Sequence, residues 1–249
     1  AALDPDEGFS SMTDMATVFS DNGVTDLVID FRYNGGGLLS VDTMMDLLAG
    51  VTAEGQPSFK IQVNDQHPDY NEDRDNWGLF DELPSTFSPL RIAFITSSST
   101  ASASELVING LDPHIEVIMV GSDTFGKQVG QGRWDMHDSV EGLEREDCDV
   151  ALRLTAFEIV NGENQGGYHQ VGLNGTGRFT LCEAEDDISA AFGDPAEASL
   201  ATALEWSATG ACPTGHAASR LAPMPNQRRS EPIRLPAEYI HERVAGNLR

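Results

Sequence analysis

Apolar side chains recur at helical and strand spacing from the first part of the chain. Residues 11–22 carry four of them on one predicted helical face: Met12, Met15, Val18 and Phe19. A β-rich run then covers residues 24–31, a glycine-rich turn follows, and a second helical pattern covers residues 38–49 up to Gly50. A strand, a glycine turn and a helix in this order favour an α/β fold with parallel strands.

The periodic pattern continues along the rest of the chain. A helix is predicted over residues 102–110, and further strands are predicted over 59–63, 90–96, 115–120 and 150–160. Three segments are predicted as irregular: an insertion over 64–89 that lines a cleft, an acidic loop over 131–149 and a Gly/Asn-rich loop over 161–177. A last helical region is predicted from residue 185, resuming with Asp194 as N-cap and Pro195 in its first turn.

The charge balance is strongly acidic. Asp and Glu number 40 against 15 Lys and Arg, which gives a formal net charge of −25. Such a surface repels nucleic acids and anionic membranes, so neither is an expected partner. We interpret the acidity as a contribution to solubility or an adaptation to a salty medium. The apolar fraction of 40 % suits a packed core, and no apolar run approaches the roughly 18 residues that span a bilayer.

Cysteine and histidine spacing gives no sign of a metal site. Cys148, Cys182 and Cys212 have no CxxC pattern, so one disulfide with one cysteine left over and three buried thiols are equally consistent. The six histidines are scattered, without HxxxH or HExxH spacing. We therefore expect no metal and no cofactor. The chain begins Ala-Ala-Leu-Asp-Pro, without Met or a signal-like stretch, which favours a mature or trimmed form.

The candidate chemistry lies in residues 96–131. Lys127 is one of two lysines in the chain, and it follows the serine cluster around Ser102 by 25 residues. A serine hydroxyl needs a base to become a nucleophile, and a lysine made neutral by burial can serve. No histidine has a catalytic-looking context, and His114 is predicted to be a surface loop residue. The glycine beside Lys127 and its apolar neighbours can bend the backbone and desolvate the amine.

An oxyanion site can be built beside the same serine. The N–H of Ala103 would be unpaired at the start of the helix, and the turn at Gly36 and Gly37 can offer a second donor. Each feature has an ordinary alternative: a helix cap, a loop lysine, or a glycine turn without a phosphate-binding motif. Their joint occurrence, in this order, favours a Ser/Lys hydrolase.

Three motifs carry these residues: Asp26-Leu-Val-Ile-Asp-Phe-Arg-Tyr-Asn-Gly-Gly-Gly37, Thr100-Ala-Ser-Ala-Ser-Glu105 and Thr124-Phe-Gly-Lys-Gln-Val-Gly-Gln131. Together they resemble the C-terminal processing peptidases, the tail-specific family of Ser/Lys proteases, over about residues 10–190. The resemblance implies a role for each matching residue: Ser102 as nucleophile, Lys127 as general base, Gln131 as positioning residue, and Ala103 with Gly36 or Gly37 as oxyanion donors.

The resemblance also implies a fold and a function. The expected fold is α/β, a Clp-peptidase/crotonase-like core with repeated β-β-α units around a mixed sheet, plus a helical C-terminal segment. The catalytic core is expected over residues 1–190, and a helix with a Pro/Arg-rich tail over 191–249. The expected activity is serine endopeptidase, with polypeptide substrates bound through their C-terminal region. The stretch between the last two cysteines resembles a secreted or lipoprotein-like bacterial branch, which implies a periplasmic or extracellular location, either free or lipid-anchored through a missing N-terminus.

Departures from the family pattern keep alternatives open. No PDZ-like domain or N-terminal cap precedes the core, which favours the catalytic part of a longer protein or a reduced member. Gln128 and Gly130 differ from the small and β-branched residues usual around the lysine. The main alternative function is a non-proteolytic binder of apolar small molecules or peptides on the same fold. A crotonase-type acyl-CoA enzyme is disfavoured by the scarcity of bases, and a fragment inactive without its N-terminal part is a third alternative.

Overall fold

The computed structural model describes residues 5–37, 41–135 and 151–213, with side chains described from residue 12 and not over 133–135. Eight strands lie in these ranges: β1 (Asp26–Asp30), β2 (Pro57–Gln62), β3 (Trp77–Leu79), β4 (Arg91–Thr96), β5 (Glu116–Gly121), β6 (Val129–Asp135), β7 (Ala151–Asn161) and β8 (Thr180–Glu183). The same ranges contain five α-helices: α1 (Pro5–Asp21), α2 (Asp42–Ala53), α3 (Pro68–Glu72), α4 (Ala103–Leu111) and α5 (Ala198–Thr209). Short 3₁₀ helices cover Arg74–Asn76 and Asn174–Thr176.

A four-stranded parallel sheet, in the order β1-β4-β5-β8, forms the centre of the described protein. Its inner strands are apolar at successive positions because both faces of the sheet are covered. Phe94 of β4 and Met119 of β5 face a core that contains residues of α2 and α4. Ile95 faces the opposite side, where Trp206 of α5 packs in a second core. The sheet therefore places the ends of β1 and β4 beside the start of α4.

A second sheet is antiparallel, in the order β3-β2-β7-β6. Phe59 of β2 and Ile159 of β7 belong to the same core as Phe94, so this sheet packs on the α2 and α4 side of the molecule. Strand β6 pairs with β7 along its length, with a register shift between Gly130 and Gln131. This sheet therefore carries the segment that follows Lys127.

The predicted α/β class is confirmed, with parallel and antiparallel sheets present. The predicted first helix and the strands near residues 24–31, 59–63, 90–96, 115–120 and 150–160 are also confirmed. The prediction that α2 stops at Gly50 is wrong, since the helix continues to Ala53. A Cβ at position 50 would lie 2.2 Å from the carbonyl oxygen of Asp81, so the glycine allows close packing rather than ending the helix.

Three other predictions need correction. The segment predicted as an acidic loop over 131–149 begins as strand β6, which extends to Asp135, and residues 136–150 lie outside the described residues. The irregular insertion over 64–89 contains α3 and β3. The region from residue 185 is not helical before α5, whose N-cap is Glu197 rather than Asp194. The Glu197 side chain accepts hydrogen bonds from the N–H groups of Ser199 and Leu200, at 3.2 and 2.9 Å.

A disulfide links Cys182 of β8 to Cys212, three residues after α5, with 5.3 Å between their Cα atoms. The sequence leaves open either one disulfide or three buried thiols, and the structure contains the disulfide. Cys148 and the Pro/Arg-rich tail lie outside the described residues. None of the described helices combines the length and hydropathy that crossing a bilayer requires.

Candidate active site

Ser102 occupies the N-cap position of α4 in an uncommon backbone conformation. Its φ is +58° and its ψ is −117°, and a positive φ is costly for a residue with a side chain. Ala103, directly after it, is the first helical residue, so its N–H points out of the helix end without an intrahelical acceptor. The conformation therefore places the Ser102 hydroxyl next to the N–H of Ala103.

Gly36 packs directly against this serine. Its φ is +82°, and a Cβ at this position would lie 2.6 Å from the carbonyl oxygen of Ala101, 2.6 Å from the nitrogen of Ala103 and 2.9 Å from the Cβ of Ser102. Only glycine permits this approach. The N–H of Gly36 donates to Oδ1 of Asn34 at 2.9 Å, whereas a Cβ added at Gly37 would meet nothing within 4 Å. The glycine turn therefore lies where the sequence predicts it, in contact with Ser102.

Side-chain hydroxyls before α4 fasten it to the end of β1. Thr100 Oγ1 donates to the carbonyl of Phe31 at 2.7 Å, and Ser97 Oγ donates to the carbonyl of Arg32. The carbonyl of Asn34 accepts from the hydroxyl of Ser104 at 3.0 Å, and it also accepts from the N–H of Ala101 at 3.1 Å. These hydrogen bonds therefore fix the position of the glycine turn relative to Ser102.

A buried carboxylate joins the serine and lysine segments. Glu105 has no exposed surface, and its side chain reaches back from the first turn of α4. Oε2 accepts from the N–H of Ser102 at 2.9 Å and from the N–H of Lys127 at 2.8 Å, while Oε1 accepts from the N–H of Gly126 at 2.7 Å. Sequence reasoning did not assign this role, although the Ser-x-x-Glu spacing at the helix start is a recognised signal for a side chain that turns back.

Lys127 is partly buried and follows a glycine in the left-handed conformation. Gly126 has a φ of +84°, and a Cβ there would lie 2.6 Å from the carbonyl of Tyr168. Its own carbonyl accepts from the N–H of Gln170 at 2.7 Å. The lysine segment is therefore held between Glu105 on one side and the loop after β7 on the other.

The two glutamines near Lys127 have different environments. Gln131 lies on β6 opposite Thr155 and is exposed, so its expected contact with the lysine stays a prediction. Gln128 is buried, and its Oε1 accepts from the N–H of Gly167 at 2.7 Å. A Cβ at Gly166 would lie 2.2 Å from Gln128 Nε2. The unusual glutamine therefore binds the neighbouring glycine loop.

The second lysine has a structural environment. Lys60 is buried, its Nζ donates to Oδ1 of Asn164 at 2.9 Å, and the Nζ lies 4.5 Å from the centroid of the Trp77 ring. His114 lies in the turn after α4, in line with the predicted loop position, and it is half-buried rather than fully exposed. Its ring centroid lies 4.9 Å from that of Phe80, and burial lowers the pKa of the imidazole below its usual value.

Arg32, at the end of β1, connects the glycine turn to the C-terminal segment. Its buried guanidinium pairs with Asp30 at 2.7 Å, Asp186 at 3.2 Å and Glu197 at 2.9 Å. Hydrogen bonding to Asp30 is the main reason that the pKa of Arg32 rises further above its usual value.

An open cleft of about 600 Å³ lies next to this cluster, lined by Asp30, Tyr33, Asn34, Gly35, Gly36 and Phe192. Within the described ranges, no group of His, Cys, Asp and Glu is arranged to hold a metal ion.

Residues 7–176 match the profile of peptidase family S41. The chain belongs to peptidase family S41. The resemblance drawn from the three motifs is therefore confirmed at the level of the family.

The chain is similar to solved structures, and one of them shares its fold. A candidate S41 protease from Bacteroides fragilis superposes with a TM-score of 0.66 at 23 % identity, covering 85 % of this chain and 52 % of that protein. The photosystem II D1 C-terminal processing protease gives a TM-score of 0.48 at 20 % identity, covering 66 % of this chain and 37 % of that protein. A search of curated proteins found no match. This S41 chain thus spans about half the length of the Bacteroides protein.

Proposed function

We propose that this protein is a serine endopeptidase of the C-terminal processing type, with a Ser/Lys mechanism. The observation that carries the proposal is the shared carboxylate of Glu105, which binds the backbone N–H groups of Ser102 and Lys127 through one oxygen atom. Two segments 25 residues apart are fixed to the same atom, and the serine stands at a helix N-terminus in a strained conformation. Membership of family S41 supports the same chemistry.

In the proposed reaction, Ser102 Oγ attacks the carbonyl carbon of a peptide bond while Lys127 Nζ, as general base, takes the hydroxyl proton. The tetrahedral intermediate carries its negative charge on the former carbonyl oxygen, beside the N–H of Ala103. The lysine then gives the proton to the leaving amine, and the serine ester remains. Water attacks that ester while Lys127 accepts one of its protons. The Oγ–carbonyl bond then breaks, the carboxylic acid product leaves, and Lys127 returns the proton to Ser102 Oγ. Gln131 is proposed to orient the lysine.

The second oxyanion donor comes from the glycine turn. The N–H of Gly36 already donates to Asn34, which favours Gly37 as the donor while that bond is intact. Proposed substrates are polypeptides, bound through their C-terminal region. An oxidising compartment, periplasmic or extracellular, is proposed because the Cys182–Cys212 disulfide persists only where thiols are not kept reduced.

The proposal is tested by labelling with a fluorophosphonate probe and by hydrolysis of an unstructured peptide with an apolar C-terminus. The expected result is modification of Ser102 in the wild-type protein and loss of essentially all hydrolysis in Ser102→Ala and Lys127→Met. Lys60→Met is the matched control, because it removes the chain's other lysine from a structural site. An active Ser102→Ala protein would rule out the mechanism.

A further inference from the structure

The cleft beside Ser102 has two exposed aromatic side chains in its wall. Tyr33 is 55 % exposed and Phe192 is 75 % exposed, and their ring centroids lie 6.4 Å apart. Large rings exposed to this degree around a cleft commonly mark a binding surface. Gly36 also lines the cleft and packs against Ser102, so a chain that reaches the serine passes this wall.

The surroundings of the cleft carry more negative than positive charge. Asp30 lines it, Asp186 accepts a hydrogen bond from the Tyr33 hydroxyl at 2.6 Å, and both carboxylates share Arg32 with Glu197. One guanidinium faces three carboxylates, which leaves an excess of two negative charges. Arg32 is only 5 % exposed, so a ligand in the cleft meets the carboxylates and rings more than this cation.

The Phe192 ring already attracts a cation on part of its surface. The guanidinium carbon of Arg32 lies 5.4 Å from the ring centroid, which is within cation–π range. Because three quarters of Phe192 is still exposed, the rest of the ring is available to a second cation from solution.

We propose that this cleft is a subsite for a cationic side chain, Arg or Lys, of the polypeptide substrate, at a residue close to the scissile bond. A guanidinium or ammonium group there would stack on Tyr33 or Phe192 and offset the excess charge of Asp30 and Asp186. The inference rests on the proposed function, since the ligand is the peptide that Ser102 would attack. Phe192 and Asp186 lie beyond residues 7–176, so this subsite uses a part of the chain outside the family match.

The test measures equilibrium binding to the full-length Ser102→Ala protein by fluorescence anisotropy. The probes are short labelled peptides of Ala, Gly and Ser in which one residue is Arg, citrulline or Glu, scanned through each position. Citrulline has the shape of Arg without its charge. At one position we expect Arg to bind roughly three- to tenfold more tightly than citrulline at low salt, with Glu the weakest and the difference shrinking as salt is added.

Two variants, each with a matched control from the same segment, locate the effect. Phe192→Ala and Asp186→Asn should each reduce the Arg-over-citrulline ratio at least twofold. Ile188→Ala removes an apolar side chain that is 86 % exposed, and Asp187→Asn removes an equal charge whose carboxylate binds Ser189 instead. Both controls should retain the ratio, and circular dichroism of all four proteins should match that of the parent.

The proposal is overturned if citrulline binds as tightly as Arg at every position, or if no peptide binds. It is also overturned if Asp187→Asn lowers the ratio as much as Asp186→Asn, since the effect would then be diffuse surface charge. Fluorophosphonate labelling of the wild-type protein separates the two proposals. Labelled Ser102 without an Arg preference removes only the subsite, and an Arg preference without labelled Ser102 removes only the peptidase mechanism.

Discussion

The side chain of Glu105 connects the serine and lysine segments through backbone hydrogen bonds. Its two oxygens accept three backbone N–H groups, which belong to Ser102, Gly126 and Lys127. Hydrogen bonds to an ionised carboxylate are shorter and stronger than neutral ones, so one buried group can fix the spacing of two loops. The carboxylate therefore sets the geometry of the site through these three hydrogen bonds, without contacting the substrate.

Replacement of this carboxylate by an amide tests its role. In Glu105→Gln one N–H must face an amide NH₂, so at least one of the three bonds is lost. We expect the free energy of unfolding to fall by about 1–3 kcal/mol and fluorophosphonate labelling of Ser102 to slow at least tenfold. Urea denaturation and labelling rates measure the two effects.

Asp123→Asn is the matched control. Asp123 also accepts three backbone N–H groups, from Thr124, Asn174 and Gly175, but none from the serine segment. It should lose comparable stability and keep a labelling rate within about twofold of wild type. Equal loss of labelling in both variants would contradict a specific role for Glu105.

Asp46 predicts a pH dependence of stability. It is a buried residue on α2, and burial raises the pKa of its carboxyl to about 6. Between about pH 4 and pH 6 the folded protein keeps a proton that the unfolded chain has released, so Asp46 lowers stability as pH rises through this window. Asp46→Asn keeps the acceptor for the Asp81 N–H and should raise the free energy of unfolding by about 2 kcal/mol at pH 7.5.

Urea titrations at pH 4 and pH 7.5 check this prediction. The gain should be much smaller at pH 4, where the folded carboxyl is protonated and the unfolded carboxyl is close to its titration midpoint. Asp14→Asn, an equal charge change at an exposed position on α1, should shift stability by less than about 0.5 kcal/mol at either pH. A gain that is the same at both pH values would exclude titration of Asp46 as the cause.

At the residue scale, the sequence predicts the positions of the serine, the lysine segment and the glycine turn. It does not predict the bonds between them, because these join residues that are distant along the chain. Asn34 and Ser104 are 70 residues apart, and Glu105 and Lys127 are 22 apart. Their pairing depends on the parallel order of β1, β4 and β5, which periodicity does not supply.

At the element scale, strands with continuous apolar runs are predictable and the others are not. Strand β4, Arg-Ile-Ala-Phe-Ile-Thr, is recognisable because both sheet faces are covered. Strand β6 reads Val-Gly-Gln-Gly-Arg-Trp-Asp and resembles a loop, since its glycines give it no side-chain alternation. Strand β8 has four residues, too few to show a period. The N-cap of α5 was misplaced because Asp194-Pro195 offers the same signal three residues earlier than Glu197.

The disulfide between β8 and the end of α5 predicts a redox dependence of stability. It closes a chain separation of 30 residues, which corresponds to about 3–4 kcal/mol in the loop-entropy description. The double variant Cys182→Ser/Cys212→Ser should therefore unfold at a distinctly lower urea concentration than wild type. Reductant should destabilise the wild type by a similar amount and leave the double variant unchanged. A double variant that still responds to reductant would place the redox effect elsewhere.

At the scale of the whole molecule, a net charge of −25 opposes compact folding through self-repulsion. Added salt screens charges that are farther apart than the Debye length, about 10 Å at 0.1 M. We expect the melting temperature to rise as NaCl is increased from low to moderate concentration, measured by circular dichroism. A melting temperature that falls with salt would show that favourable ion pairs, such as those of Arg32, outweigh the general repulsion.

The ion pairs of Arg32 indicate where the chain can be truncated without loss of the fold. The family match ends at residue 176, yet two of the three carboxylates on this buried guanidinium, Asp186 and Glu197, lie beyond it. A fragment cut at the family boundary would lose these partners, together with Trp206 from the outer face of the parallel sheet. The guanidinium of Arg32 would then lack two of its three carboxylates, and the apolar face of the parallel sheet that Trp206 covers would be exposed to solvent. We therefore expect the smallest autonomous folding unit to extend past the shared family sequence, at least to Cys212.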